Sequence, residues 1–382
     1  MLKRVQIIKL IVPAMLAVLT MYSCCKHDKV AVEKDLIVMG ASSVSSTKGA
    51  ISSLNDLKSS NQDFGVFGYK TRPVDQSYEI TRLFNNTPVQ YDSDEALWSY
   101  SPLRYWDSNT TVSYQFFAYW PHLASSDPGN GTPWVSATDI SNLNSTEDMS
   151  MVLNDIPNWQ DASDPDCFDL LTSLRVGKYR SDDPDPENRP LFYDRVVNFD
   201  FSHILSKLII QGYYVGEQNN HVKVYSITLN GTEYLLPGGT SDYQKTIAAS
   251  SFSNVQKGAA QQSLDQVLYS DANGIQLLET AFKASEQAEY TPTPICAWLL
   301  VPTNGWSNLS LSVTYAIGSA AQQTSEVNQV SIGAENVYAM ESGKSYILNL
   351  KFNTEGGIEL QAMYINSWVN YSEELQRPVY NW

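Results

Sequence analysis

Histidine is scarce: the 382-residue chain has four. His27, His122, His203 and His221 form no His-Glu-x-x-His, and the four cysteines form no Cys-x-x-Cys, so the common zinc signatures are excluded. There is no Gly-x-Ser-x-Gly elbow. GNGTPW (129–134) begins like a glycine-rich phosphate loop and breaks off. His203 directly follows Ser202, and neighbours on a strand point to opposite faces, so the two form no dyad. Basic residues are also few, 25 against 41 acidic ones, for a net charge of −16. A surface this acidic repels phosphate backbones, which excludes nucleic acid as a partner. With neither a catalytic constellation nor a cofactor motif, the chain reads as a non-enzyme that carries no cofactor.

Two acidic clusters are weak metal signals. In SDDPDPENRP (181–190), Asp183, Asp185 and Glu187 alternate as calcium ligands do. The loop lacks the turn-back glycine, and Pro184 and Pro186 stiffen it, so it reads as solvated surface. Asp161, Asp164, Asp166 and Asp169 read the same way. Cys167 and Cys296 read as two buried free thiols in different domains, with pairing in an oxidising envelope as the alternative.

What is abundant is strand chemistry. Tyr (23) and Trp (9) suit half-buried pleated surfaces. In TVSYQFFAYWP (111–121), Val112, Tyr114, Phe116, Ala118 and Trp120 share one face at period two. Ser113, Gln115, Phe117 and Tyr119 share the other, and Pro121 ends the run. Strands are also expected at 36–39, 63–70, 195–215, 221–231, 295–303, 309–317, 344–352 and 358–369, with Asn230-Gly231 as a turn. A short helix is expected within 263–285. Regular short strands with turn residues between them predict an all-β fold of sandwiches.

The first residues are of another kind. Lys3, Arg4 and Lys9 precede an apolar stretch, about Ile11 to Met21, which is shorter than the roughly 20 residues a membrane-spanning helix needs. Residues 1–23 read as a signal peptide. Met21, Tyr22 and Ser23 before Cys24 resemble the lipobox of bacterial lipoproteins. That resemblance makes Cys24 the lipidation site and an acyl anchor the link to the outer membrane.

Several stretches taken in order carry a wider resemblance: STKGAI (46–51), FGVFGY (64–69), YQFFAYWP (114–121), VNFDFSHILSKLII (197–210), LLVPT (299–303) and INSW (365–368). Phe201, His203, Leu205, Lys207 and Leu208 are its most specific part. Together they resemble the fimbrillin-like lipoproteins of Bacteroidetes, the subunits of type V pili. The resemblance implies two transthyretin-like β-sandwich domains in tandem, 49–205 and 206–382, after a tether and removable strand at 24–48. It implies a stalk, tip or accessory subunit that serves adhesion and binds a host or bacterial surface ligand. It also implies assembly with other pilin subunits by strand exchange at the cell surface. A protease would cut between Lys48 and Gly49, with Lys34 as an alternative site, and release the strand holding Leu36, Ile37, Val38 and Met39. A donor strand from 365–382 would fill the groove of the next subunit through Ile365, Trp368, Val369, Tyr371, Val379, Tyr380 and Trp382. The bland alternative is that 365–382 completes the protein's own last sheet. The alternative function is a cell-surface glycan-binding lipoprotein using exposed tryptophans such as Trp106 or Trp134.

Overall fold

The computed structural model describes residues 36–44, 53–60, 62–107, 111–123, 134–164, 166–167, 169–173, 176–179, 196–215, 221–233, 239–252, 262–277, 292–303, 306–328, 340–353 and 357–367. The first strands are β1 (Val38–Val44), β2 (Phe64–Val74), β3 (Ser77–Asp92), β4 (Leu97–Ser99), β5 (Ser113–Trp120), β6 (Trp134–Ala137) and β7 (Ser150–Pro157). Next come β8 (Trp159–Asp161), β9 (Leu171–Ser173), β10 (Val176–Tyr179), β11 (Val196–His203), β12 (Ser206–Val215) and β13 (Val222–Glu233). Then follow β14 (Thr240–Thr246), β15 (Ser250–Phe252), β16 (Gln262–Gln276), β17 (Thr293–Leu300), β18 (Ser307–Ile317), β19 (Gln323–Asn328), β20 (Lys344–Asn353) and β21 (Ile358–Ser367). One α-helix, α1 (Leu54–Ser59), and two 3-10 turns are the helical elements among the described residues. The chain is all-β, as its alternation predicts.

An eight-stranded sheet runs in the order β1-β11-β9-β5-β2-β3-β4, with β10 also on β5. Around β5 both of its faces are buried. Tyr114, Phe116, Ala118 and Trp120 enter one core, with Phe64, Phe84, Trp98, Val197, Phe199 and Phe201. Phe117 and Tyr119 enter another, against Val135, Met151, Leu153 and Ile156 of the four-stranded sheet β15-β14-β7-β6. The first core lies inside a curl of the large sheet. Phe64 on β2 touches Trp98 on β4 at 5.0 Å and Phe201 on β11 at 5.5 Å, all edge-to-face.

A second sandwich pairs the five-stranded sheet β21-β20-β12-β17-β8 with the four-stranded sheet β16-β13-β18-β19. Leu208, Ile210 and Tyr214 face Val224, Ile227, Leu229 and Leu311 across it. The two halves share a topological signature. β1 pairs parallel with β11, and β12 pairs parallel with β20. Two sheets combine strands from both sides of residue 205: β8 pairs with β17, and β14 pairs with β7.

Three local expectations change. The run 195–215 is two strands, broken at Ile204 and Leu205, whose side chains are buried in the core under β5. The break is held by a neighbouring loop. Ser342 Oγ donates to the carbonyls of His203 (3.2 Å) and Ile204 (2.9 Å), and the Gly343 N–H donates to that of Leu205 (2.8 Å). Asn230-Gly231 is no turn but lies inside β13, at a bulge where the register shifts between Asn230 and Thr232. Of the stretch expected to hold a short helix, residues 263–276 belong to the strand β16, paired along β13, and 278–285 lie outside the described residues. Val267 pairs with Thr228 and Tyr269 with Ile227, with Leu268 at the bulge between them, and that partner overrides local propensity.

Candidate functional site

β1 is the terminal strand of the eight-stranded path, and its apolar residues alternate into the curled core. Ile37, Met39 and Ala41 are buried there with Val197, Phe199, Phe201, Tyr100 and Trp106. One edge of β1 runs parallel to β11, from Val38 opposite Val196 to Val44 opposite Phe201. Just before the strand, its other side meets the segment after β4. Leu36 bridges Tyr105, the Ile37 N–H donates to the Arg104 carbonyl at 2.9 Å, and the Tyr100 hydroxyl donates to the Ile37 carbonyl at 2.5 Å. The N-terminal strand therefore closes the curl between its two ends. At Gly40 the partner lies close: a Cβ there would sit 2.4 Å from Asn198 Oδ1. Ser42 Oγ donates to Asp200 Oδ1 at 2.8 Å.

Without residues 36–44 the core would lose three apolar side chains, and β11 would have an unpaired edge along Val196–Phe201. An apolar slot flanked by unpaired backbone groups is the condition under which an added strand binds. Of the residues singled out for release, Val38 and Met39 lie in β1, and Leu36 and Ile37 lead into it. Cys24, Lys34, Lys48 and Gly49 lie outside the described residues. The role of Tyr100 and Arg104 had no signal in the sequence, because it rests on backbone contacts more than 60 residues away.

Ile365 lies in β21, opposite Tyr346 of the neighbouring β20. Its segment thus begins as the edge strand of the protein's own five-stranded sheet. Trp368, Val369, Tyr371, Val379, Tyr380 and Trp382 lie outside the described residues.

The other singled-out residues have structural settings. His203 Nδ1 lies 3.0 Å from Asp169 Oδ1 in a buried position. Asp161 Oδ1 accepts from the Ser163 N–H and hydroxyl, and Asp164 Oδ1 from the Asp166 N–H, so these carboxylates brace a turn. Among the described residues, no three His, Cys, Asp or Glu side chains converge as metal ligands. The acidic loop 181–190 lies outside them. Cys167 and Cys296 are free and only partly buried. Cys167 packs against the core under β5 and Cys296 against the core of the second sandwich, and both line one cavity between them. Burial pushes both thiols up to about 12; Asp169, Asp161 and Asp164 add to the effect at Cys167, and Asp161 at Cys296. Trp106 is not exposed for sugar stacking: it is buried, edge-to-face on Tyr114 at 4.8 Å. The side chain of Trp134 lies outside the described set.

Among the described residues, no helix is long and apolar enough to cross a membrane. Residues 54–368 match the model of a family described as fimbrillin-like. No curated protein matches the chain. Among solved structures, a fimbrial protein from Bacteroides vulgatus has 17% identity and a TM-score of 0.54, over 88% of this chain and 100% of that one. A protein provisionally described as a cell adhesion protein from Bacteroides uniformis has 12% identity and a TM-score of 0.41, over 89% and 100%. Another so described, from Bacteroides eggerthii, has 8% identity and a TM-score of 0.42, over 90% and 98%.

Proposed function

Because the chain belongs to the fimbrillin-like family, we propose that it is a structural subunit of a type V pilus, in the stalk or as a tip or accessory component, and serves adhesion at the cell surface. It is exported as a precursor anchored in the outer membrane by acyl chains on Cys24. A protease cuts between Lys48 and Gly49 and frees the strand that holds Leu36–Met39. The groove left along β11 then takes a strand from residues 365–382 of another subunit. The observation that supports this reading is the position of β1. It is a closing edge strand with one face in the core, joined to its neighbours by backbone pairing and three buried side chains. Its removal leaves an apolar slot and unpaired backbone groups that another apolar strand satisfies.

Limited digestion of the purified precursor with a lysine-specific protease tests this. Cleavage at Lys48 is expected to yield polymers whose length rises with protein concentration, and deletion of 368–382 to abolish them. A complete cut that leaves monomers at every concentration would refute assembly by this route.

A further inference from the structure

We propose that a cavity of about 840 Å³ at the meeting of the two halves binds a neutral saccharide, a hexose or N-acetylhexosamine unit of a glycan. Its walls come from residues 267–271 of β16, 295–299 of β17, the turn after β8, and Trp120 with Pro121 at the end of β5. The volume lies in the range of small-ligand sites, about 300–1,000 Å³.

The lining narrows the ligand. Trp298 and Tyr269 offer aromatic surface, and the Trp298 Nε1–H donates to the Leu268 carbonyl at 2.9 Å, which fixes the indole plane in advance. A preset aromatic face suits a ring with an apolar side and a polar rim. The charged lining has both signs: Asp161, Asp169 and Asp271 against Lys207. Three carboxylates on a chain of net charge −16 repel a uronate, a sialic acid or a phosphate. A cation meets Lys207 and finds all three carboxylates already engaged, Asp161 with Ser163, Asp169 with His203 and Asp271 with the Asn273 N–H. A neutral ligand with several hydroxyls meets the remaining carboxylate lone pairs as acceptors at no cost in uncompensated charge. This binding is independent of strand exchange and stands or falls apart from it.

The full chain, purified in mild detergent, is titrated with neutral tri- and tetrasaccharides of hexose and N-acetylhexosamine. A uronate trisaccharide and a lysine-rich peptide serve as charged comparisons. The readouts are calorimetry and tryptophan fluorescence. At least one neutral oligosaccharide is expected to bind saturably and to change the fluorescence. Tyr269→Ala and Asp271→Asn should each weaken binding about tenfold or more at unchanged Tm, roughly the loss of one good contact. Asp271 is exposed, so its substitution separates binding from folding. No saturable binding across the neutral panel would overturn the proposal. So would binding that both variants retain, or tighter binding of either charged comparison.

Discussion

Gly65 and Gly68 stand on opposite faces of β2, and each makes room for an aromatic ring from a neighbouring strand. A Cβ on Gly65 would lie 2.3 Å from the Tyr119 ring, and one on Gly68 would lie 2.6 Å from Phe84. Tyr119 has little freedom to retreat, because it is fully buried and its hydroxyl is bonded to Asn86 and the Leu123 N–H. Gly65→Ala should therefore destabilise the protein by about 1–3 kcal/mol, the usual range for overpacking. A urea titration that shows no loss would mean that Tyr119 can move. Glu233 carries a second prediction at this scale. It is fully buried, with Trp306 Nε1–H donating to Oε2 at 3.0 Å. Burial raises its carboxyl from 4.5 to about 7, and the Trp306 hydrogen bond only partly offsets this. The folded protein thus holds this proton more tightly than the unfolded chain does. The associated stability is fully present below about pH 4.5 and is lost as pH rises through about 7, with an upper bound of about 3 kcal/mol. Glu233→Gln removes that loss, so the stability difference between variant and wild type should grow from pH 4.5 to 7 and then level off. Chemical denaturation at a series of pH values measures it, and a flat difference would refute the assignment.

At the scale of elements, what the sequence made legible was alternation. Tyr114, Phe116, Ala118 and Trp120 occupy one core, and Phe117 and Tyr119 the other, as period two requires. The signals that misled were local ones with more than one structural answer. Asn-Gly favours a turn, yet Gly231 serves a bulge, where the side chain of Leu309 passes 2.7 Å from the site of an absent Cβ. Residues 263–276 contain no strict alternation, and only pairing with β13 identifies them as a strand. For the candidate site, the apolar stretch 36–39 was visible, but its parallel partner and the contacts of Tyr100 and Arg104 are long-range and leave no mark in local order. The closing role of β1 leads to a specific expectation. Ile37 is fully buried at the seam, so Ile37→Ala should cost about 2–4 kcal/mol through lost burial and the cavity left behind. Val38, on the outward face, should tolerate alanine within about 1 kcal/mol. Equal losses at both positions in thermal melts would contradict the one-sided burial of β1.

For the whole molecule, the crossing strands matter most. β8 precedes residue 205 but completes the five-stranded sheet, where Trp159 packs at 5.5 Å on Trp306 inside the C-terminal core. β14 and β15 follow residue 205 but extend the sheet of β6 and β7, and Tyr243 fills the core beneath β5. Leu299 and Val301, at the end of β17, are buried in that same core. Opening either half therefore unpairs strands and exposes apolar surface that belongs to the other. Tandem modules joined by a linker melt separately, whereas modules that share strands are expected to melt together. The intact chain should unfold in a single calorimetric transition with a van't Hoff enthalpy close to the calorimetric one. Residues 36–205 and 206–367 expressed alone should each fail to show a cooperative melt, because one lacks β14 and β15 and the other lacks β8. Co-expression of the two fragments should restore it. Two resolved transitions in the intact chain, or a cooperative melt of either fragment alone, would show that the exchanged strands contribute little and that the halves are independent modules.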